Sequence, residues 1–326
     1  MGINKRNAKV HFFKFSSLYE KNKNKFNEKL VELYTDFKNK EYQKIPNVEF
    51  DSKDDNSVTE VYYVQAIQKR KLEDAAISGY FYWLITISKV NVGEEITVAN
   101  VSEEIDKRRR NVNQGKNEGV IKDSWIIYDP WKSVMVTYTP RGAVNRYEIK
   151  RFLNKLAETR GLSYEAIMSK DGYERFTYFS SINEVTYKLA SPDNFKAFKD
   201  ESRSENKDLQ FASEMSSSKL LITLTDDKLS KDLILKKVKE VFANESLKVE
   251  KMQIDGINDG VSDHIDFVKN LLVYEGNIEY DNDFNDQAVF GFLNKAYDEH
   301  DEYLKKIFNA ELKERENYEK GKDKEK

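Results

Sequence analysis

The residues best suited to chemistry in this chain are cations gathered in short runs. Lys69-Arg70-Lys71 is one such run, and Lys107-Arg108-Arg109-Arg110, with Lys116 and Lys122 behind it, is a second. A third is spaced rather than contiguous: Arg146 and Lys150 stand four apart, as do Arg151 and Lys155. On a helix that spacing makes much of the exposed face basic. Cations in such number can hold a phosphate backbone, because each neutralised phosphate releases counterions without any contact to a base. Trp131, in the turn Asp129-Pro130-Trp131-Lys132, could stack on a base if the strand were single. The competing reading of every charge run is a solvated face with no partner.

A smaller anion site is also conceivable at Thr139-Pro140-Arg141-Gly142, just ahead of a helix start. Free backbone N–H groups and the positive end of the helix dipole favour an anion there, within reach of Arg141 and Arg146. Against a nucleotide cofactor, Asn145 already serves the helix end as its cap. The chain has neither a G-x-G-x-x-G nor a Walker A motif, so no cofactor is expected.

Other chemistries find little support. There is no cysteine, which removes disulfides, thiolate nucleophiles and cysteine zinc sites. The stretch Asp255-Gly256-Ile257-Asn258-Asp259-Gly260, with Asp263 and Asp266, resembles a calcium loop. Ile257, however, takes the third ligand position and Asp266 replaces the bidentate Glu, so acidic turns are expected and no metal. His11, His264 and His300 share no ligand spacing. A carboxylate-only hydrolase is conceivable, but 57 acidic residues single out none of them.

These residues need a scaffold, and its outline is readable. Residues 9–15 alternate as a strand. Phe26, Leu30, Leu33 and Phe37 fall at helical spacing, predicting a helix over 26–40. Residues 45–58 read as a loop, then 58–68 and 79–90 as strands, and 102–122 as an exposed charged segment. Aromatic and β-branched residues at 125–128 and 134–139 flank turn chemistry, which predicts a hairpin. Asn145 and Glu148 have capping-box spacing, Ile149, Phe152, Leu153 and Leu156 share one face, and Gly161 suits the helix stop. A short helix over 164–168 and strands over 174–190 come next. A polar stretch with helical pieces at 194–198 and 209–215 leads to a strand at 220–225. A helix at 231–243, a strand at 246–254 and one or two strands over 267–280, broken at Gly276, follow. This β-α-β-α-β order predicts a small open sheet with helices on one face. A long helix over 284–312 carries Val289, Leu293, Ala296, Leu304 and Ile307 as a stripe, able to close the core or form a subunit seam.

Composition frames these readings. At 326 residues the chain is long enough for two domains. Apolar residues at 39% argue for a folded protein, although 34% charged residues make its surface wet. No apolar run approaches the ~20 residues of a membrane span. The opening lacks a signal peptide's apolar core, and Arg6 stands where a myristoylation signal needs Ser or Thr. The net charge of -3 hides a division: residues 1–160 carry 29 Lys and Arg against 22 Asp and Glu, while 161–326 carry 25 against 35. A basic half suggests a polyanionic partner, and an acidic half faces solvent or a basic partner.

The order of elements adds a resemblance. A strand, Gly142 and a capped helix up to Gly161 are followed by Lys170-x-x-Tyr173-x-x-Phe176. Then come Leu220-Leu221-Ile222-Thr223-Leu224-Thr225, Ser230-Lys231-Asp232-Leu233-Ile234-Leu235-Lys236-Lys237-Val238 and the long last helix. Over roughly residues 120–312 this series resembles the RexA-type phage-exclusion proteins. The resemblance implies a cytoplasmic, homodimeric DNA-binding sensor of phage infection that acts through a separate membrane effector, without inserting in the membrane itself. It supplies no catalytic motif and fixes no individual DNA-contacting residue.

The expectation is therefore an α+β protein: a larger globular domain over 1–175, a smaller mobile domain over 176–283, the helix 284–312, and a charged tail over 313–326 that frays. Nucleic acid, DNA before RNA, is the expected partner, bound without strong sequence preference. Two rivals remain: a metal-dependent nuclease built from the 255–266 carboxylates, and an interaction module whose acidic half binds a basic protein.

Overall fold

In the computed structural model, residues 3–17, 19–51, 59–72, 80–92, 97–99, 102, 109–112, 115, 118–190, 214–215, 217, 219–243, 248–258 and 260–322 are described. The chain is α+β, built on one large antiparallel sheet and one small one, with a separate two-stranded pair of β5 (Thr97–Ala99) and β6 (Arg109–Asn111). The large sheet runs in the order β14 (Val273–Tyr280), β1 (Asn4–Ser17), β8 (Val134–Tyr138), β7 (Gly119–Asp129), β4 (Phe81–Val92), β3 (Thr59–Lys71), β2 (Val48–Asp51). β9 (Leu162–Ala166) continues the β14 side of β1: β14 pairs with Asn4–His11, and β9 with Phe13–Ser17.

Both faces of this sheet are covered, which explains its sequence. α1 (Glu20–Lys38) and α2 (Arg146–Leu156) lie on one face, over Phe13, Phe15, Trp83, Ile85 and Met135. The long α5 (Asp286–Lys322) lies on the other, over Val10, Phe12, Tyr82, Leu84 and Val136. A strand buried on both sides needs apolar residues at every position. The unbroken run Phe81-Tyr82-Trp83-Leu84-Ile85 meets that demand in β4, between β3 and β7.

The expected helices form as read where the signal is local. Phe26, Leu30 and Leu33 of α1 are fully buried. The Glu148 N–H donates to Asn145 Oδ1 (3.0 Å) and the Asn145 N–H to Glu148 Oε2 (2.7 Å), closing the capping box of α2. All of Ile149, Phe152, Leu153 and Leu156 face the core. The 125–139 hairpin is β7–β8, with Asp129 Oδ1 accepting from the N–H groups of Trp131 and Lys132 in its turn.

Other expectations are corrected. Residues 164–168 are not a helix; β9 forms there because Leu162 and Tyr164 alternate into the core against β1. The strand expected from 174 begins at Phe179, since α3 (Lys170–Tyr178) is capped by Ser169. The loop 45–58 contains β2. Gly161 does not stop α2: the helix ends at Leu156, and Glu158 supplies the left-handed residue at φ 50°. Gly276 does not interrupt β14; a Cβ there would lie 3.0 Å from the Phe292 ring, so α5 packs close over it.

The small sheet runs β11 (Lys219–Thr225), β10 (Phe179–Ala190), β12 (Lys248–Asn258), β13 (Val261–Asp266), with α4 (Lys231–Ala243) burying Ile234, Val238 and Val241 against it. Of the helical pieces expected at 194–198 and 209–215, residues 194–198 and 209–213 fall outside the described residues. This unit is inserted between β9 and β14, both partners of β1, so β14 belongs to the large sheet. Its two connections run side by side: the Ser169 N–H donates to Asn270 O and the Leu272 N–H to Ile167 O, each at 2.7 Å. The charged segment after 312 continues α5 to Lys322.

Candidate nucleic-acid interface

Consecutive strand residues point to opposite faces, and this divides the first cationic run. Lys69 Nζ sits over the Phe81 ring at 3.7 Å, on the α1/α2 face. Arg70 points to the α5 face, donating to Tyr82 OH (2.6 Å) and Asp298 (3.0 Å). Lys71 is exposed. These three therefore do not share one surface. In the second run Lys107, Arg108 and Lys116 lie outside the described residues; Arg109 is placed in β6 (Arg109–Asn111), where Arg110 is exposed. Lys122 lies on β7, opposite Lys89. Trp131 is exposed but edge-on to Tyr80, which bonds to Tyr297 of α5. Arg141 is exposed beside Gly142, whose φ is 80°.

The third group is where cations converge. α1 and α2 lie side by side on the sheet, and between the first turns of α1 and the outer face of α2 runs an open groove of ≈ 930 Å³. Lys150, Arg151 and Lys155 form its α2 wall. Arg146 turns away, its guanidinium 5.1 Å from the Phe13 ring. Three cations not singled out in the sequence complete the site: Lys21 and Lys25 on α1, and Arg160 in the loop after α2. Six cationic side chains thus line a groove whose one carboxylate is Glu158.

The walls are fixed largely by bonds from uncharged side chains, with one more from Lys155. Asn22 is buried and donates its amide to Arg160 O, tying α1 to the loop. Asn154 donates to Leu162 O (3.0 Å) and accepts from the Leu162 N–H (3.1 Å), tying α2 to β9. Lys155 donates to Glu49 O of β2 at 2.7 Å. α2 is thus bonded both to β9, beside β1, and to β2, at the far edge of the sheet. Glu158 and Gly161, at φ 50° and 89°, turn the chain sharply enough to set Arg160 on the rim.

Electrostatically the groove is set apart by the number of cations gathered in it. Several surface lysines elsewhere are paired: Lys5 with Glu279, Lys9 with Glu275, Lys29 with Glu32, all within 2.8 Å. Lys21, Lys25, Lys150, Arg151 and Arg160 have no carboxylate in ion-pair range among the described residues. Lys21 lies over the Tyr19 ring (5.7 Å), and Arg151 over Phe50 (3.9 Å) and Tyr147 (5.7 Å). Like charges held together without counter-charges cost free energy, and an anion in the groove relieves that cost.

Compared with known families, curated proteins and solved structures, the chain matches none.

The calcium-like stretch is a hairpin, and its described acids are spent on separate partners. Asp255 faces His264 across β12 and β13 (2.7 Å), Asp263 accepts from Arg175 (2.7 Å), and Asp266 pairs with Lys269 (3.2 Å). Among the described residues no three His, Asp or Glu side chains converge so as to hold a metal ion. No described helix is long and apolar enough to cross a membrane.

Two further polar clusters are structural. Lys89 is buried between Glu60 (2.7 Å) and Glu148 (2.6 Å), so the capping-box acid of α2 also anchors the helix to β3 and β4. Lys132, likewise buried, donates to Asp301 (2.7 Å), Tyr297 (3.0 Å) and Tyr80, joining the β7–β8 turn to α5. Burial first, and the Asp129 carboxylate next, push the Tyr80 hydroxyl above its ordinary range.

Proposed function

We propose that the protein binds the phosphate backbone of nucleic acid, DNA in preference to RNA, in the groove between α1 and α2. One observation carries this reading: five cations converge there with no carboxylate partner among the described residues, in a chain whose acids outnumber its bases. Backbone contacts of this kind tolerate any sequence. The resemblance in element order to RexA-type proteins supports a setting for that activity: a cytoplasmic homodimer that senses phage infection and signals to a membrane effector. The inserted unit, joined through two adjacent connections, suits a signal carried by domain rearrangement.

The test is binding of mixed-sequence DNA by fluorescence anisotropy across a salt series. With four or so phosphates held, affinity falls roughly a hundredfold between about 50 and about 200 mM salt. Lys25→Glu combined with Lys150→Glu abolishes binding at the higher salt. Unchanged affinity in that double variant would refute the groove. Reversal of Arg108, Arg109 and Arg110 measures separately what the second cluster adds.

A further inference from the structure

The groove carries more than charge. A tyrosine stands on each wall: Tyr19 at the start of α1, Tyr147 in the first turn of α2. Tyr19 is 61% exposed, a large ring left in water beside cations. Along α2, Tyr147, then Lys150 and Arg151, then Asn154 recur at spacings of three and four, a single stripe about 10 Å long. A ring next to a cation, repeated on two walls, is an arrangement that serves a base and its phosphate together.

The rings select among nucleic acids. In a duplex the bases are paired and stacked on one another, so their faces are closed to Tyr19 and Tyr147 and its phosphates alone meet the rim. A single strand lays its phosphates along the lysines and turns its unstacked bases onto the rings. The seat is preformed, since Asn22 and Asn154 have their amides committed to holding the walls. Little ordering is left to be done on binding.

We infer that the groove accepts a single strand of nucleic acid in preference to a duplex, with Tyr19 and Tyr147 stacking on its bases. This rests on the nucleic-acid reading above and specifies the form of the partner. Neither ring is needed for backbone binding, so the two claims separate experimentally.

The experiment measures anisotropy of the full-length protein with a short mixed-sequence DNA strand and with its duplex, at one salt concentration. The single strand is expected to bind at least tenfold more tightly. Tyr19→Ala and Tyr147→Ala each weaken the single strand by about five- to a hundredfold and leave the duplex unchanged; Lys25→Glu weakens both. Tyr147→Phe, which keeps the ring, retains single-strand binding, and Tyr19 is exposed enough that its replacement leaves folding intact. Equal or tighter binding of the duplex, or no effect of either alanine, overturns the inference while the backbone reading stands. Failure of both probes to bind removes the two together.

Discussion

His11 offers a sharp test of how the α1/α2 face is built. It lies on β1 with its ring stacked on Phe13 (6.3 Å between centroids) and Arg146 close by. Burial first, then the charges of Arg146 and Lys9, lower its pKa from 6.5 to about 4, with Glu275 opposing. In the unfolded chain the imidazole takes its proton as pH falls through 6.5; in the fold it refuses the proton until about 4. The contribution to stability is complete above 6.5 and disappears as pH falls towards 4. At about pH 5 the loss is about 2 kcal/mol, approaching about 3 kcal/mol below the folded value. His11→Gln removes this titration whatever its own packing cost. Urea unfolding of wild type and variant at about pH 8, 6 and 5 should show their stability difference shifting by about 2 kcal/mol across the range, the wild type losing more. Parallel curves, or an imidazole titrating near 6.5 by NMR, would show that the ring is hydrated and the reasoning wrong.

Two further outcomes follow from buried and capping groups. Lys89→Met leaves Glu60 and Glu148 together without their cation and should cost about 3–5 kcal/mol, read as a lowered urea midpoint; adding Glu60→Gln should recover part of it, and no recovery would deny the charge origin. Asn145→Ala removes one half of the capping box, and a loss of about 1 kcal/mol is expected, largely restored by Asn145→Ser in the same measurement.

What is legible in the sequence is local. α1 and α2 declare themselves through the spacing of Phe26, Leu30, Leu33 and of Ile149, Phe152, Leu156, and the α2 start through Asn145 and Glu148. The β7–β8 hairpin follows from its turn residues. β9 and the unbroken β14 escape a local reading because their identity depends on β1, far away in the chain. Nothing within the five residues from Leu162 to Ala166 decides between helix and strand until Phe13–Ser17 lies beside them. The cationic site is half visible. Lys150, Arg151 and Lys155 can be placed on one helix face, whereas Lys21, Lys25 and Arg160 join them only through the packing of α1 and the turn at Glu158. The Lys69-Arg70-Lys71 run misleads for a reason inherent in strand geometry: in a strand, neighbours cannot share a face.

The charge division acquires a physical sense once the groove is located. Residues 161–326 carry 25 cations against 35 acids, so most of the surface they form repels a polyanion. That repulsion reaches about 10 Å at 0.1 M salt, far enough to discourage seating anywhere but among the unpaired cations of α1 and α2. Specificity of place then needs no repulsive contact inside the groove, where Glu158 is the one acid. Salt acts on both terms in opposite directions: it weakens the phosphate contacts and screens the surrounding repulsion. The measured salt slope should therefore fall short of the number of phosphates held. Neutralising acids remote from the groove should steepen that slope and tighten binding at low salt.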